Sequence, residues 1–431
     1  MMGTVVLPGL RYRSRSFCVI LALALAACAP PGEPGPRHQP LGLATPLPDP
    51  DFAAYVEAAK AQIAAAGEAL GEPLDPVVIH DRAPFELTPP ARCRTAPDGR
   101  WPRAVLLIHG VTDSPYVMRD LGHRLAAACY LVRAILLPGH GTVPGDLLEV
   151  DYRDWLDATA RGVGSLASAA ERIYLVGFAA GGTLALHYAL LDLQDPDLPL
   201  GDVPLSDPTL GGLVLLAPVL EPGAGVDRFG GAFNALAPAG SWRGLYPDAD
   251  PVRYESVASN AAQQVDHLAA DLAAQDQPLD LPVFMALTAE DRTIDAAAAR
   301  AWFCRQLSGP RQLLWYTRDP APVDDCRFIT VRASSVPPQI LDLSHIGLPL
   351  APNNRHYGVH GDYLSCLHYY WENSPNWLIC ADRSMTPANS AVRYGEVNGR
   401  NTTAHVVRRL TYNPDFDGLV EDILGFLDDL D

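Results

Sequence analysis

Between residues 103 and 333, short apolar runs alternate with longer segments whose apolar positions recur every three or four residues. The runs are AVLLIH ending at His109, YLVRAILL ending at Leu137, RIYLVG ending at Gly177, GLVLLAP ending at Pro218 and LPVFMALT ending at Thr288. They do not alternate apolar with polar residues, so each predicts a strand covered on both faces, as in a parallel sheet. The segments SPYVMRDLGHRLAAA, YRDWLDATARGVGSLASAA, TLALHYALLDL and IDAAAARAWFCRQL carry helical spacing. Strand, helix, strand in series predicts an α/β fold with right-handed crossovers, a mostly parallel central sheet and helices on both faces. RQLLWYT and CRFITVRA offer two further strands, and DFDGLVEDILGFLDDL a closing amphipathic helix.

Two stretches break this rhythm. Residues 221–280 lie between two core strands and hold Gly, Pro and aromatic clusters such as FGGAFNALAPAGSWRGLYP, then a helical stretch around AAQQVDHLAADLAAQ. Placed where strand carboxyl ends open, they predict an inserted lid over a site, with Phe229, Phe233, Trp242 and Tyr246 lining a pocket beneath it or packing the lid's own surface. Residues 346–410, rich in Asn, His, Tyr and Cys, have no readable period.

The amino end has its own pattern. Arg11, Arg13 and Arg15 precede an apolar run from Phe17 to Ala27 that is shorter than a bilayer span, so residues 1–27 predict a secretory signal peptide. Leu25-Ala-Ala-Cys28 resembles a bacterial lipobox, which implies a lipidated Cys28, a membrane anchor and export, with Ala29 favouring the outer membrane of a diderm cell. Residues 28–50 are dense in Pro and Gly and predict an extended tether. One domain would then occupy residues 51–431.

A formal charge of -18 makes nucleic acid and anionic headgroups poor partners and is easier to reconcile with neutral substrates, although an acidic surface is also a way to stay soluble. Besides Cys18 and Cys28 the chain has Cys93, Cys129, Cys304, Cys326, Cys366 and Cys380. Export favours disulfides, and sequence neighbours suggest Cys304 with Cys326 and Cys366 with Cys380. Their spacing fits no zinc ribbon. His356, His360, Asp362 and His368 lie near one another in sequence but lack a helical register that would align them on a metal, and no motif calls for a cofactor.

The chemistry concentrates at Gly177-Phe178-Ala179-Ala180-Gly181, where a buried strand turns sharply into a helix. The context is that of a G-x-S-x-G nucleophile elbow, but Ala179 stands at the nucleophile position. The amide of Ala180 would face a developing oxyanion, and His109-Gly110 lets the Val111 N–H join it. Downstream, Asp291 follows the strand LPVFMALT, with Glu290 and Asp295 as rivals and Asp295 also a candidate helix cap. His345 in SHIGLP follows another short apolar segment and completes the order nucleophile, carboxylate, histidine. His140 in LPGHGT would brace the floor of the site.

Together HGVTDSP, LPGHGTVPGDL, DYRDW, GFAAGG, AEDRTID and SHIGLP resemble bacterial α/β-hydrolase-fold carboxylesterases close to the monoacylglycerol lipases and lysophospholipases. The resemblance implies an acyl-enzyme mechanism with a serine at position 179, Asp291 as orienting acid, His345 as general base, and Val111 and Ala180 as amide donors. Alanine has no oxygen to attack a carbonyl. Either a working esterase had its serine replaced deliberately, which the agreement of every other motif favours, or catalysis was abandoned and the pocket kept for ligand binding on a membrane tether. An amidase or a polyester depolymerase would use the same arrangement.

Overall fold

The apolar runs become strands of one eight-stranded sheet: β1 (Phe85–Leu87), β2 (Trp101–Ile108), β3 (Leu131–Ile135), β4 (Ala170–Phe178), β5 (Thr209–Leu216), β6 (Val283–Thr288), β7 (Arg311–Thr317) and β8 (Ile329–Ala333). Their order is β1-β3-β2-β4-β5-β6-β7-β8. Only the edge strand β1, which has no counterpart among the sequence predictions, runs antiparallel to its neighbour; every other pair is parallel. The computed structural model describes residues 34–194, 199–200, 203–204, 209–221, 240–275, 278–321, 326–372 and 375–430. The expected signal peptide, Cys28, Phe229 and Phe233 lie outside the described residues.

The central strands are buried on both faces, from Ala104 to Ile108, Ile173 to Phe178, Leu213 to Leu216 and Val283 to Leu287. Each Val, Leu or Ile removed from water there contributes roughly 1.5–3 kcal/mol, before conformational entropy is counted against it. Helix α1 (Phe52–Ala69) precedes the sheet; α2 (Arg119–Ala127), α3 (Tyr152–Ala167) and α4 (Ala180–Gln194) connect its first strands; α5 (Ser259–Ala273), α6 (Ala296–Gln306) and α7 (Phe416–Asp428) follow. The chain steps one way from β2 to β3 and then crosses β2 to reach β4. Right-handed crossovers therefore send α2 to one face and α3 and α4 to the other. Consistent with this, α3, α4 and α5 pack together, while α2 packs with α7.

This reversal opens a crevice at the carboxyl ends of β2 and β4. The two strands are adjacent, with Ile108 opposite Gly177, so the loop leaving β2 and the corner leaving β4 emerge side by side. Two histidines join the same end to β3. His109 Nε2 accepts the Leu137 N–H at 3.1 Å, which leaves Nδ1 to donate to Gly110 O at 2.8 Å. His140 Nδ1 reaches Pro138 O at 3.0 Å, and the Trp155 indole N–H donates to the same carbonyl, also at 3.0 Å. The His140 ring lies edge-on to His109 and stacks on Tyr254, as a residue bracing the floor should.

The two irregular stretches and the amino end acquire structure through long-range contact. Residues 36–41, assigned from composition to an extended tether, instead dock on the domain. Arg37 donates to Asp248 O at 3.0 Å and pairs with Glu72, His38 lies 3.2 Å from both Asp248 Oδ2 and Ser256 Oγ, and the Leu41 N–H reaches Asp146 Oδ1 at 2.7 Å. A Cβ on Gly145 would sit 2.3 Å from Gln39 O, so the two backbones touch. In the expected lid, α5 belongs to the helical layer over the sheet, and Trp242 packs edge-on against His38. Residues 346–410 include strands β9 (Val392–Gly395) and β10 (Val406–Arg409), paired in parallel. The disulfides are Cys93–Cys129, Cys304–Cys326 and Cys366–Cys380, including both expected neighbour pairings.

Burial pushes His140 from 6.5 down to about 4 and lowers His109 as well. Between those two pH values the unfolded chain holds a proton that the folded chain excludes, so stability is full above about 6.5 and is lost as pH falls toward about 4. For His140 alone the loss is on the order of 3 kcal/mol. Urea midpoints at pH 7 and pH 4.5 should therefore differ less in His140→Gln than in the parent; identical pH dependence in the two proteins would contradict this assignment.

Candidate active site

The corner after β4 is built by close approach. Ala179 has φ +51°, a left-handed conformation that costs an L-residue roughly 1–2 kcal/mol. Its N–H donates to Leu216 O at 2.9 Å, and its carbonyl accepts from Gly182 N at 3.0 Å and Thr183 N at 3.2 Å, so both neighbouring elements hold the strained residue. A Cβ at Gly177 would lie 2.2 Å from Gly181 O, and one at Gly181 would lie 2.3 Å from Ile108 O. Both contacts are with backbone, which cannot yield as a side-chain end can, so the two positions require glycine. The Ala179 tip remains 9% exposed at the crevice.

The loop leaving β2 abuts this tip. A Cβ at Gly110 would sit 3.1 Å from the Ala179 Cβ and 2.8 Å from Asp113 Oδ2. Among the described residues, neither the Val111 nor the Ala180 N–H donates to a backbone carbonyl. Ala180 opens α4, where unsatisfied amides and the helix dipole favour negative charge. Residues 252–254 clamp the loop from above. Ser114 Oγ donates to Val252 O at 2.6 Å, Tyr254 N donates to Thr112 O at 2.7 Å, and Arg253 Nε lies 3.8 Å from Asp113 Oδ1. Burial raises the Asp113 carboxyl, and the Arg253 charge opposes that shift.

The expected acid and base, Asp291 and His345, arrive from the turn after β6 and from the loop after Ile340. Asp291 Oδ1 accepts Thr293 N at 2.7 Å and Ile294 N at 3.0 Å, which turns Oδ2 toward His345 Nδ1 at 2.6 Å. The Asp291 side chain is fully buried and that of His345 nearly so. The imidazole lies 5.0 Å, centroid to centroid, from the ring of Phe178, the residue before the tip. With Nδ1 engaged by Asp291, Nε2 is the atom left for chemistry.

The rival carboxylates are occupied elsewhere. Glu290 accepts Arg318 N at 2.7 Å and Ser334 Oγ at 3.1 Å, and burial raises its pKa. Asp295 caps α6 through Ala298 N at 2.9 Å. His356 lies 3.1 Å from Asp250 Oδ1, whose other oxygen accepts Tyr357 OH at 2.7 Å. Among the described residues no group of three or more His, Cys, Asp or Glu is arranged to hold a metal ion. Sequence reasoning missed Asp113 and Arg253, although Asp113 lies inside HGVTDSP; it is buried, and the guanidinium facing it comes from about 140 positions away. It also missed Glu396, whose carboxylate accepts the His345 backbone N–H at 3.0 Å.

A thermostable monoacylglycerol lipase from Bacillus sp. (strain H-257) is 39% identical over 88 residues, 20% of this chain and 35% of the lipase, so the match spans about a third of that relative. The monoacylglycerol lipase structure from Paleococcus ferrophilus is 18% identical with a TM-score of 0.40, covering 54% of this chain and 88% of that one. An inhibited esterase B from Lactobacillus rhamnosis is 19% identical with a TM-score of 0.38, covering 63% and 86%. The alpha/beta hydrolase family matches residues 105–354, from β2 to beyond His345. With more than half its length matched, the chain belongs to the alpha/beta hydrolase family.

Proposed function

We propose that the chain is a serine carboxylic-ester hydrolase of the carboxylesterase and monoacylglycerol lipase kind, with its nucleophile position occupied by Ala179. The observation that carries this reading is the 2.6 Å Asp291–His345 hydrogen bond beside a corner whose tip has φ +51°. A serine there would present its hydroxyl on the strained turn, and His345 Nε2 would take the proton as the oxygen attacks the ester carbonyl. Asp291 holds the imidazole in the required tautomer and stabilises the imidazolium that forms. The Val111 and Ala180 amides receive the oxyanion, water then attacks the acyl-enzyme, and the same imidazole serves as base again. As the chain stands, only the oxyanion site and binding remain, worth roughly 10³ to 10⁴ over water in serine hydrolases that lack a triad member.

Replacement of a catalytic serine in a working esterase accounts for the preserved acid, base and amide donors. Ala179 itself supports the alternative of a ligand-binding protein without turnover. The amino-terminal pattern supports anchoring through lipidated Cys28 at the outer membrane, which would set a lipid ester within reach.

Ala179→Ser should bring burst hydrolysis of short-acyl nitrophenyl esters, at least about 10³-fold above the chain as it stands, and adding His345→Ala should remove it. Equal rates before and after the Ala179→Ser change, together with retention of a fatty ester by both proteins, would favour the binding protein. In the serine-bearing chain, Asp291→Asn should cost about 10⁴ in kcat, whereas Asp295→Asn, which still caps α6, should change it less than about tenfold. Expressed in a diderm bacterium fed labelled palmitate, the chain should take up label and Cys28→Ser should not; a parent chain without label would refute the anchor.

A further inference from the structure

Residues 355–410 lie beyond the family match, yet they reach the two loops that carry Asp291 and His345. Glu396, directly after β9, is fully buried, and its carboxylate is saturated with donors. Oε1 accepts Val397 N at 2.8 Å and Arg409 Nε at 2.7 Å; Oε2 accepts Arg409 Nη2 at 3.1 Å and the His345 backbone N–H at 3.0 Å. The same Arg409 Nη2 donates to Thr293 Oγ1 at 2.8 Å, and Thr293 N donates to Asp291 Oδ1 at 2.7 Å. The carboxylate thus grips the backbone of the base, and the guanidinium grips the loop of the acid.

From this geometry we infer that Glu396 and Arg409 form a positioning pair for the Asp291–His345 couple, holding its two loops in register alongside their direct hydrogen bond. The inference rests on the hydrolase reading for its consequence in rate. Glu396 is buried while Arg409 stays partly exposed, and desolvation of the carboxylate offsets much of the attraction, so net stability is a weak account of a pair aimed at these loops. The pair is itself fixed. Glu396 N donates to Asp342 Oδ1 at 2.6 Å, Arg409 N donates to Ser365 O at 3.0 Å, and the adjacent Cys366 is joined to Cys380. The planar fork of Arg409 lets one guanidinium serve Glu396 and Thr293 together, which a lysine ammonium cannot reproduce in the same geometry.

The test uses Glu396→Gln, Arg409→Lys and Thr293→Val, the last removing only the hydroxyl that Arg409 reaches. In the Ala179→Ser chain, each should lower kcat by about 10- to 100-fold with KM within about twofold, the pattern of a misplaced base with binding intact. In the chain carrying Ala179, proton NMR of the His345 Nδ1 hydrogen should show faster solvent exchange in each variant, whether or not the Ala179→Ser change confers activity. If the serine-bearing parent hydrolyses no ester, the functional reading fails and the exchange measurement alone decides the role of the pair. Folded variants with unchanged Nδ1 exchange, or with a loss confined to KM, would overturn the inference. Should Glu396→Gln fail to fold, Thr293→Val and Arg409→Lys decide it by the same two readings.

Discussion

Everything at the candidate site depends on the contact between Gly181 and the end of β2. The Gly181 backbone lies so near Ile108 and His109 that a Cβ would come within 2.3 Å of one carbonyl oxygen and 2.5 Å of the other. That approach forces the tight exit from β4, and the tight exit forces Ala179 into its left-handed turn. Because the turn would cost about 1–2 kcal/mol unaided, it must be over-determined, and its hydrogen bonds to Leu216, Gly182 and Thr183 do this. The tip therefore points into the crevice as a property of the backbone, whichever small side chain it carries.

Around this corner the molecule recruits segments from far along the chain. Residues 36–41 dock against Asp146 and Asp248. Asp248 in turn receives the backbone N–H groups of Glu255 and Ser256 at 2.7 and 2.8 Å, which shapes the segment clamping the Thr112 loop. From the other side Glu396 and Arg409 reach the loops of His345 and Asp291. The arrangement is a set of separate braces converging on a few backbone atoms, held by the buried carboxylates of Asp248 and Glu396 and the partly buried one of Asp146. Such networks are stiff when fully satisfied, since any displacement leaves a buried charge without its partner.

Much of the fold was legible because its signals are local. Apolar runs without alternation mark strands covered on both sides, and five such runs became β2 to β6. Glycines flanking position 179 were readable because a backbone contact excludes every side chain, and the turn holding Glu290, Asp291 and Asp295 was readable from its place after a strand. The edge strand β1 escaped notice: Phe85–Leu87 is only three residues long, too short to show a period. The Pro-rich amino segment misled for a related reason. Composition reports what a segment cannot pack by itself, and residues 36–41 are held by polar contacts supplied from elsewhere.

By itself the sequence determined the α/β layering, the glycine corner and the chain order of the corner, the carboxylate turn and His345, because each follows from spacing along the chain or from what a backbone position tolerates. Tertiary structure alone decided which carboxylate meets His345, since Glu290, Asp291 and Asp295 differ in partners rather than in local pattern. It likewise decided that Arg253 faces Asp113 and that Glu396 holds His345, pairs whose members lie far apart along the chain. A hydrogen bond across such a distance leaves no trace in either neighbourhood, because its geometry exists only after the sheet has brought the loops together.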